Sequence, residues 1–452
     1  MQADKNLQDN TDVTRQLARH IAGSRYADLP ADAVAAARRG VLDWLGCALA
    51  GSHHPTLDIL VSVVRELNAQ PQATVLGRQC KVGLLDAALV NGQMGHVLDY
   101  DDTHMAGVVL HASSPTLAAL FALSEASGAS GTDFILAYAA GFEAGVRIGQ
   151  ASPGHHRGGW HLTGTLGTLA ASAAAAKLLG LDEQQLIHAL GIGGTQAAGM
   201  QQNRGTMCKS FHAGKAAANG ILAAKLAQKN FDSSEEIIEG KRGFCRIYSD
   251  VAAPEAVLDG LGQRWEIVRN GHKPYACGVV LHPAIDALIG IRSAASLDPA
   301  QISEVTLRVH PLVLSITGVV EPETGLKSKF SVYHSAAVAL RDGAAGTLQY
   351  TNSRALDPDI ITLRKKVKVV TDETLRNDEA YGRVVANGQV YQNHVEHATG
   401  TVDNPMTDAA IQAKFMTNAE PIIGKTRADH VCEWIGSLEK QTDIRELLSL
   451  CA

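Results

Sequence analysis

The stretch between residues 96 and 111 concentrates side chains that can transfer protons or bind a metal ion. It holds three carboxylates, three imidazoles and one threonine hydroxyl, contributed by Asp99, Asp101, Asp102, His96, His104, His111 and Thr103. A buried charge without a partner costs several kcal/mol, so such groups are exposed, paired or used in chemistry. The stretch is therefore a metal site, a proton-transfer site or a solvated loop.

The spacing within this stretch is compatible with more than one of these roles. His96, Asp99 and Thr103 are separated by three and four positions, so one helical turn would place them on a single face. Alternatively, Asp101, Asp102 and Thr103 cap the end of a helix and face water. A metal would need ligands converging at about 2.0 to 2.2 Å. No second ligand cluster is visible in the sequence, and we expect no metal.

A histidine outside this stretch, His161, stands where a helix should begin. His161 follows Gly158, Gly159 and Trp160 and precedes a run of small and apolar residues. The free N-H groups of a helix N-terminus attract anions and keep a neighbouring imidazole neutral. A neutral imidazole could act as a general base or donate a hydrogen bond to a carboxylate. A purely structural histidine that caps the helix is the alternative.

Two further segments contribute lysines. Lys209 lies in the segment 205–217, which we expect to lead into a helix whose inner face carries only small residues. Lys273 lies in the segment 270–283, where the predicted helical part of the chain gives way to the predicted α+β part. Ligands often bind at the junction between two domains. Cys277 is close to Lys273 and to a helix start, both of which lower a thiol pKa. Without a Cys-His-Asn pattern, we expect an ordinary thiol.

The elements that must position these residues fall into two groups. Apolar residues at helical spacing predict helices over 33–49, from 114, from 132, and over 162–179, 182–191 and 213–228. Alternation predicts strands over 305–309 and 367–370, and the Asn387-Gly388 pair within 383–390 predicts a hairpin. We therefore expect a mainly α protein, with a large all-α helical domain over 1–266 and 404–452 and a smaller α+β lid domain over 267–403.

Composition excludes several classes of protein. The chain has 452 residues, 46% hydrophobic and 19% charged, with a net charge of −6 and no basic tract, so nucleic acid is not an expected partner. Its seven cysteines include no C-x-x-C pair, and we expect reduced thiols. We find no signal peptide at residues 1–5 and no apolar run of about 20 residues. These features predict a cytoplasmic protein without membrane contact.

Together and in this order, the four segments resemble the MmgE/PrpD family, which includes 2-methylcitrate dehydratase, cis-aconitate decarboxylase and iminodisuccinate epimerase. The resemblance runs from about residue 15 to about residue 445. It implies a large helical domain, a smaller α+β lid, a homodimer, and an active site between the domains without metal or organic cofactor.

The resemblance also implies roles for individual residues. The family's catalytic positions match Asp99 and Thr103 in the acidic motif, His111 after it, His161 at the helix start, and the lysines Lys209 and Lys273. We further expect His212, Tyr275 and Lys329 to bind substrate. The dehydratase branch reads Asp-Phe-Asn-Asp where this chain reads Asp99-Tyr100-Asp101-Asp102, which is closer to the decarboxylase and epimerase branches. The decarboxylase, however, carries a histidine where this chain has Cys277.

The function expected on this basis is a cofactor-independent lyase of the dehydratase type. It would move a proton next to a carboxylate of a small di- or tricarboxylic acid, with Lys209, Lys273 and Lys329 holding carboxylates. His161 and His111 would serve as base and acid, and Asp99 would orient an imidazole. An epimerase of the iminodisuccinate type is the alternative, and a non-catalytic dimer that binds carboxylates is a further one.

Overall fold

Helices build most of the chain in this computed structural model, which describes residues 12–452. The segment 1–5, on which the absence of a signal peptide was predicted, lies outside the described residues. The first helices in chain order are α1 (Val13–Gly23), α2 (Ala31–Gly51), α3 (Pro55–Leu67), α4 (Leu84–Val97), α5 (Ser113–Ser127), α6 (Gly131–Gln150), α7 (Leu162–Leu178), α8 (Glu183–Gly194), α9 (Met207–Gln228) and α10 (Phe244–Tyr248). Two short antiparallel ladders accompany them, formed by β1 (Ala73–Val75) with β2 (Cys80–Val82), and by β3 (Thr103–His104) with β4 (Asn270–Gly271).

Local sequence explains where several of these helices begin. The side chains of Ser130, Asp182 and Thr206 each accept a hydrogen bond from a backbone N-H in the first turn of the helix that follows. Because Thr206 caps α9, this helix begins at Met207, six residues before the predicted start. Lys209 is therefore in the first turn of α9 and not in front of the helix.

A smaller α+β part follows. Its helices and strands are α11 (His282–Ala295), β5 (Ile302–Val309), α12 (Leu312–Thr317), α13 (Gly325–Ser328), α14 (Val332–Asp342), α15 (Asn352–Ala355), α16 (Pro358–Arg364), β6 (Val367–Thr371), β7 (Ala380–Ala386) and β8 (Gln389–Val395). The strands form one sheet in the order β6-β5-β7-β8, in which only β5 and β6 are parallel. Asn387 and Gly388 both have positive φ and connect β7 to β8, which confirms the predicted hairpin.

The chain then returns to helix, with α17 (Asp408–Ile423), α18 (Lys425–Gly436) and α19 (Arg445–Cys451). Helix α17 packs on α2, where Phe415 lies so close to Gly46 that an added Cβ would be 3.2 Å from its ring. One hydrophobic core joins residues between Val13 and Ile267 to residues between Phe415 and Cys451, and a second joins mostly residues between Ala276 and Ala386. This confirms a mainly α fold with a smaller α+β part, while the boundaries at 267 and 403 stay a prediction.

No helix in the described part of the chain is long and apolar enough to cross a membrane.

Candidate active site

A cavity of about 690 Å³ opens between the helical part and the α+β part. The helical part contributes its charged and imidazole groups, Asp99, His111, His156, His161, Arg204 and Lys209. The α+β part contributes an apolar wall from Val279, Val280, Leu312, Ile316 and Phe330, and polar groups from residues 376–378 and 401–403. Lys273 and Arg269 reach the cavity from the connecting segment.

Asp99 and two lysines form a buried ionic cluster at one end of this cavity. Asp99 Oδ1 lies 2.8 Å from Lys273 Nζ and 3.1 Å from Lys209 Nζ. Lys273 Nζ also donates to the Asp99 carbonyl oxygen at 3.0 Å and to the Cys277 carbonyl oxygen at 3.3 Å. Helix α4 ends at Val97 and Asp99 has a left-handed φ of 52°, which turns its carboxylate toward the lysines. The prediction that His96, Asp99 and Thr103 share one helical face is therefore wrong.

The electrostatics of this cluster follow from burial and from the pairing. Burial alone would raise the pKa of Asp99, but the ammonium groups of Lys209 and Lys273 hold it well below its usual range. Burial lowers the pKa of Lys209, and Asp99 counteracts part of this effect. One carboxylate shared by two ammonium groups leaves a positive charge at the cavity wall, which suits an anionic ligand.

His111 lines the cavity beside this cluster and is oriented from behind. Its Nδ1 lies 2.8 Å from the carbonyl oxygen of Asp102 and 3.0 Å from Thr103 Oγ1. A carbonyl oxygen can only accept, so Nδ1 carries the proton and Nε2 presents a lone pair when the ring is neutral. Burial is the main cause of a His111 pKa well below the ordinary histidine value. Thr103 therefore contacts His111, although it does not itself line the cavity.

His96 and Asp101 form a buried pair that the sequence analysis did not include among the site residues. His96 Nδ1 donates to Asp101 Oδ2 at 2.8 Å, and Ser114 Oγ donates to the same carboxylate at 2.8 Å. Asp101, and not Asp99 as expected, is the carboxylate that orients an imidazole. Burial would raise the pKa of Asp101, but His96 and His111 hold it below its usual range. The spacing of five residues gave no signal for this contact, because it spans the end of α4.

His161 occupies the position that was predicted for it, immediately before α7. Its side chain makes no hydrogen bond that caps the helix, which does not support the structural alternative. Instead, one of the two Nδ1 atoms of His161 and His212 donates to the other across 2.9 Å. Burial, followed by Lys209, lowers the pKa of His161 well below the ordinary value, so the ring is neutral near pH 7. Its Nε2 is buried and has no partner.

Three imidazoles meet at this point. Ring nitrogens of His96, His111 and His161 all lie within 4.8 Å of one another. The sequence analysis found no such group, because the third histidine is 50 residues away in the chain from the second. Three imidazoles at this spacing could hold a metal ion. Lys209 lies close enough to lower the pKa of each ring, and the same positive charge opposes a divalent cation.

The remaining polar residues of the acidic stretch are buried and have structural partners. Asp102 accepts hydrogen bonds from Ser113 and from Asn270, and burial raises its pKa to about 7. His104 Nε2 lies 3.3 Å from a carboxylate oxygen of Glu266. Asp101, Asp102 and Thr103 have exposed fractions of 0%, so the alternative of a helix cap facing water is wrong.

The three residues expected to bind substrate do not line the cavity. His212 lies behind His161, and burial lowers its pKa to about 4. The Tyr275 hydroxyl donates to Asp286 at 2.5 Å. Lys329 Nζ donates to the carbonyl oxygens of Leu98 at 2.6 Å and Ala276 at 2.7 Å, and burial lowers its pKa to about 8. These three side chains therefore contact other groups of the protein and support the site from outside the cavity.

Cys277 is fully buried, and burial raises its pKa to about 12. Burial therefore outweighs the effect of Lys273, and the thiol pKa is raised and not lowered as the sequence context suggested. Three arginines and one histidine at the cavity were missed, namely Arg204, Arg269, Arg376 and His156. They stand in unrelated stretches of sequence, and only the fold brings them to one wall.

Chemically, the cavity combines fixed cations with the neutral imidazoles of His111, His156 and His161. Ammonium groups in a low-dielectric cavity stabilise negative charge more strongly than in water. A neutral imidazole can take a proton from carbon next to a carboxylate, or return one after binding a proton itself. The arrangement is thus able to bind a polyanion and to move a proton on it.

Comparison with known proteins places both parts of the chain in one family. The MmgE/PrpD N-terminal domain matches residues 15–256 and the MmgE/PrpD C-terminal domain matches residues 275–439. The chain is 29% identical to the cis-aconitate decarboxylase-like protein oryM of Aspergillus oryzae, covering 97% of both chains. It is 29% identical to the cis-aconitate decarboxylase of Aspergillus terreus, over 99% of this chain and 97% of the relative.

A mammalian relative shows the same extent of similarity. The cis-aconitate decarboxylase of Mus musculus is 26% identical, over 97% of this chain and 93% of its own length. Both domain matches together cover nearly all of the described residues, including Asp99 and Lys209 of the ionic cluster, while Lys273 lies between the two matches. The chain therefore belongs to the MmgE/PrpD family.

Proposed function

We propose that this protein is a cofactor-independent lyase that decarboxylates a small unsaturated tricarboxylate of the cis-aconitate type. The observation that carries the proposal is the cluster of Lys209, Lys273 and Asp99 beside the neutral rings of His111 and His161 in one cavity. The relatives that match along nearly their whole length are named as a cis-aconitate decarboxylase and a cis-aconitate decarboxylase-like protein, which supports decarboxylation as the first reaction to test.

The reaction needs one bond to break and one proton to be supplied. Loss of CO2 breaks the bond between a carboxylate and a carbon adjacent to the double bond. The released electron pair forms a new double bond, the old one shifts toward the next carboxylate, and the carbon beside that carboxylate takes up a proton. Lys209 and Lys273 stabilise the carboxylate on which charge develops.

His161 supplies the proton in this scheme. Its pKa is well below the ordinary value, first because of burial and then because of Lys209. A bound tricarboxylate places negative charges near the ring, which raises the pKa and allows His161 to bind a proton. The ring can then transfer it to carbon, and His111 is the alternative donor on the same wall.

A hydro-lyase of the dehydratase type is the second candidate, favoured by the low pKa values of His111 and His161. A neutral imidazole is suited to remove a proton from carbon next to a carboxylate. A protonated group would then give its proton to the leaving hydroxide, so that the products are an alkene and water. An iminodisuccinate-type epimerase would use the same abstraction and return the proton to the opposite face.

The test is an NMR experiment in deuterated water with cis-aconitate, 2-methylcitrate and iminodisuccinate in parallel. Decarboxylation is expected to give CO2 and a product whose new methylene carries one deuteron. Loss of water from 2-methylcitrate alone would favour the hydro-lyase, and exchange without loss of mass would favour the epimerase. If no acid reacts or exchanges a proton, the proposal is wrong and a protein that only binds carboxylates remains.

A further inference from the structure

Arg204 differs from the other arginines of the cavity in its charge balance. Arg269 lies 3.3 Å from a carboxylate oxygen of Glu266. Arg376 has three carboxylates within 3.8 Å, those of Asp378, Glu379 and Glu396. Between residues 12 and 452, no carboxylate oxygen lies within 4.0 Å of a nitrogen of Arg204. Its guanidinium is half-buried and lines the cavity without a directly paired carboxylate among the described residues.

A neutral neighbour holds this guanidinium in place. Arg204 Nη2 donates to His156 Nε2 at 3.3 Å, and both residues line the cavity. Burial, with a contribution from Arg204, lowers the pKa of His156 to about 4, so this ring is uncharged near pH 7. The contact therefore restrains the arginine without cancelling its charge. Gly205 follows with a positive φ of 74°, which turns the chain from Arg204 into the start of α9.

The charge at the ionic cluster alone does not match a tricarboxylate. Lys209 and Lys273 share the carboxylate of Asp99, so this cluster carries one positive charge in excess. Lys329, which was expected to hold substrate, donates to two carbonyl oxygens and does not reach the cavity. A guanidinium presents a planar pair of donors that fits one carboxylate with two parallel hydrogen bonds.

We infer that Arg204 binds the third carboxylate of the substrate and thereby selects tricarboxylates over dicarboxylates. This inference rests on the proposed function, because it concerns the same cavity and substrate class. Lys209 and Lys273 hold the carboxylate at the reacting end, and Arg204 holds one that does not react. Arg204 is thus a specificity-determining residue.

Two unreactive ligands that differ by one carboxylate test this inference. Propane-1,2,3-tricarboxylate and glutarate both have three carbons between their terminal carboxylates, and only the first has a central carboxylate. Their affinities are measured by titration calorimetry for the wild type and for Arg204→Gln, Arg204→Lys and the control Arg157→Gln. In the described part of the chain, Arg157 is an exposed arginine that pairs with Asp250 and does not line the cavity.

Arg204→Gln is expected to weaken binding of the tricarboxylate by about 10- to 100-fold and binding of glutarate by less than about 3-fold. Arg204→Lys keeps the charge but loses the paired donors, and an intermediate, equally selective loss is expected. Arg157→Gln should leave both affinities within about 2-fold of the wild type. Equal weakening of both ligands by Arg204→Gln, or no weakening of either, would overturn the inference. If Arg204→Gln does not fold, Arg204→Lys decides by the same criterion.

The outcome is separable from that of the proposed function. Selective loss of tricarboxylate binding without turnover of any acid by the wild type would support the role of Arg204 and contradict the lyase proposal. Turnover of cis-aconitate by the wild type, together with equal weakening of both ligands in Arg204→Gln, would support the lyase proposal and contradict the role of Arg204.

Discussion

At the scale of single residues, His161 and Lys209 are the side chains whose removal should affect turnover most. His161→Ala removes the proposed proton donor, and Lys209→Ala removes a cation from the wall where charge develops. Each should lower kcat by a factor of about 10² or more. Steady-state assays with the substrate identified by NMR measure this effect.

Matched controls exist for both variants. His53 is exposed, and Lys215 is an exposed lysine on the same helix as Lys209. His53→Ala and Lys215→Ala should keep wild-type turnover. The melting temperatures of His161→Ala and Lys209→Ala should stay close to that of the wild type. Full activity in both active-site variants would rule out the proposed site.

The three imidazoles permit a separate prediction about metal. Their nitrogens lie within 4.8 Å of one another, but Lys209 and Lys273 place positive charge beside them. We expect dialysis against EDTA to leave kcat and KM unchanged, because these charges oppose a divalent cation. Loss of activity with EDTA that added Zn²⁺ or another divalent ion restores would show that a metal takes part.

At the scale of elements, the approach of α4 to α9 positions much of the site. Gly214 of α9 lies against the backbone of α4, and an added Cβ would overlap the Leu89 carbonyl group. Helix α9 carries Lys209 in its first turn, and α4 leads directly into Asp99. The Lys209–Asp99 contact therefore depends on the spacing of these two helices.

Gly214→Ala should destabilise the protein by about 1 to 3 kcal/mol, because the backbones must separate to accept a methyl group. The same separation should reduce turnover. Gly436→Ala is the control, since an added Cβ at this helical glycine meets nothing within 4 Å. Urea denaturation of both variants measures the difference, and equal stabilities would show that the helix contact tolerates a Cβ.

Sequence patterns predicted which helices and strands exist more accurately than the residues at which they begin and end. The hairpin at Asn387-Gly388 was predictable, because two positive φ angles are accessible to this pair of residues. The start of α9 was not, since the weak cap from Thr206 precedes a polar segment without helical periodicity. That error of six residues placed Lys209 outside the helix on which it stands.

At the scale of the whole molecule, Lys414 ties the C-terminal helices to the acidic stretch. It lies on α17, and its Nζ is 2.7 Å from both Asp43 Oδ1 of α2 and the Tyr100 carbonyl oxygen. Lys414→Met would leave Asp43 buried without a counterion, which should cost about 3 to 5 kcal/mol. Denaturant titration measures this loss.

The control for this prediction is Lys425→Met, which breaks the exposed Lys425–Asp429 pair and should leave the free energy of unfolding almost unchanged. The double variant Asp43→Asn with Lys414→Met should recover part of the lost stability. If Lys414→Met is as stable as the wild type, the C-terminal helices are held by apolar packing alone.

Stability should also depend on pH. Burial lowers the pKa of many histidines, including His96, His111, His161, His282 and His334. Below about pH 6.5 the unfolded chain binds protons at these rings and the folded chain does not. The free energy of unfolding therefore decreases as the pH decreases. Asp102 and Glu143 have the opposite effect on stability, because burial raises both pKa values to about 7 and the folded chain therefore binds protons at these two carboxyl groups before the unfolded chain does. These two groups are outnumbered by the histidines.

We therefore expect a lower urea midpoint at pH 5 than at pH 7. An equal or higher midpoint at pH 5 would contradict the buried, neutral state of these histidines. The paired carboxylates Asp99 and Asp101 should not contribute in this interval, since their pKa values in the folded protein are below the ordinary range.

The sequence by itself determined which residues could do chemistry and which class of fold carries them. Residue type and local context singled out Asp99, His111, His161, Lys209 and Lys273 as candidates, the resemblance to the MmgE/PrpD family implied their catalytic roles, and the structure brings them to one cavity. Local rules suffice here, because helix periodicity, glycine turns and the composition of a motif are properties of neighbouring residues.

Only the tertiary structure decided how these residues are paired. It joined Asp99 to the lysines, gave His96 to Asp101, placed His212 behind His161 and left Arg204 without a carboxylate. These contacts link residues far apart in the chain, or cross the end of a helix, and depend on distances that no local pattern encodes. Because burial and neighbouring charge set the pKa of each group, its chemical role followed from the fold and not from its type.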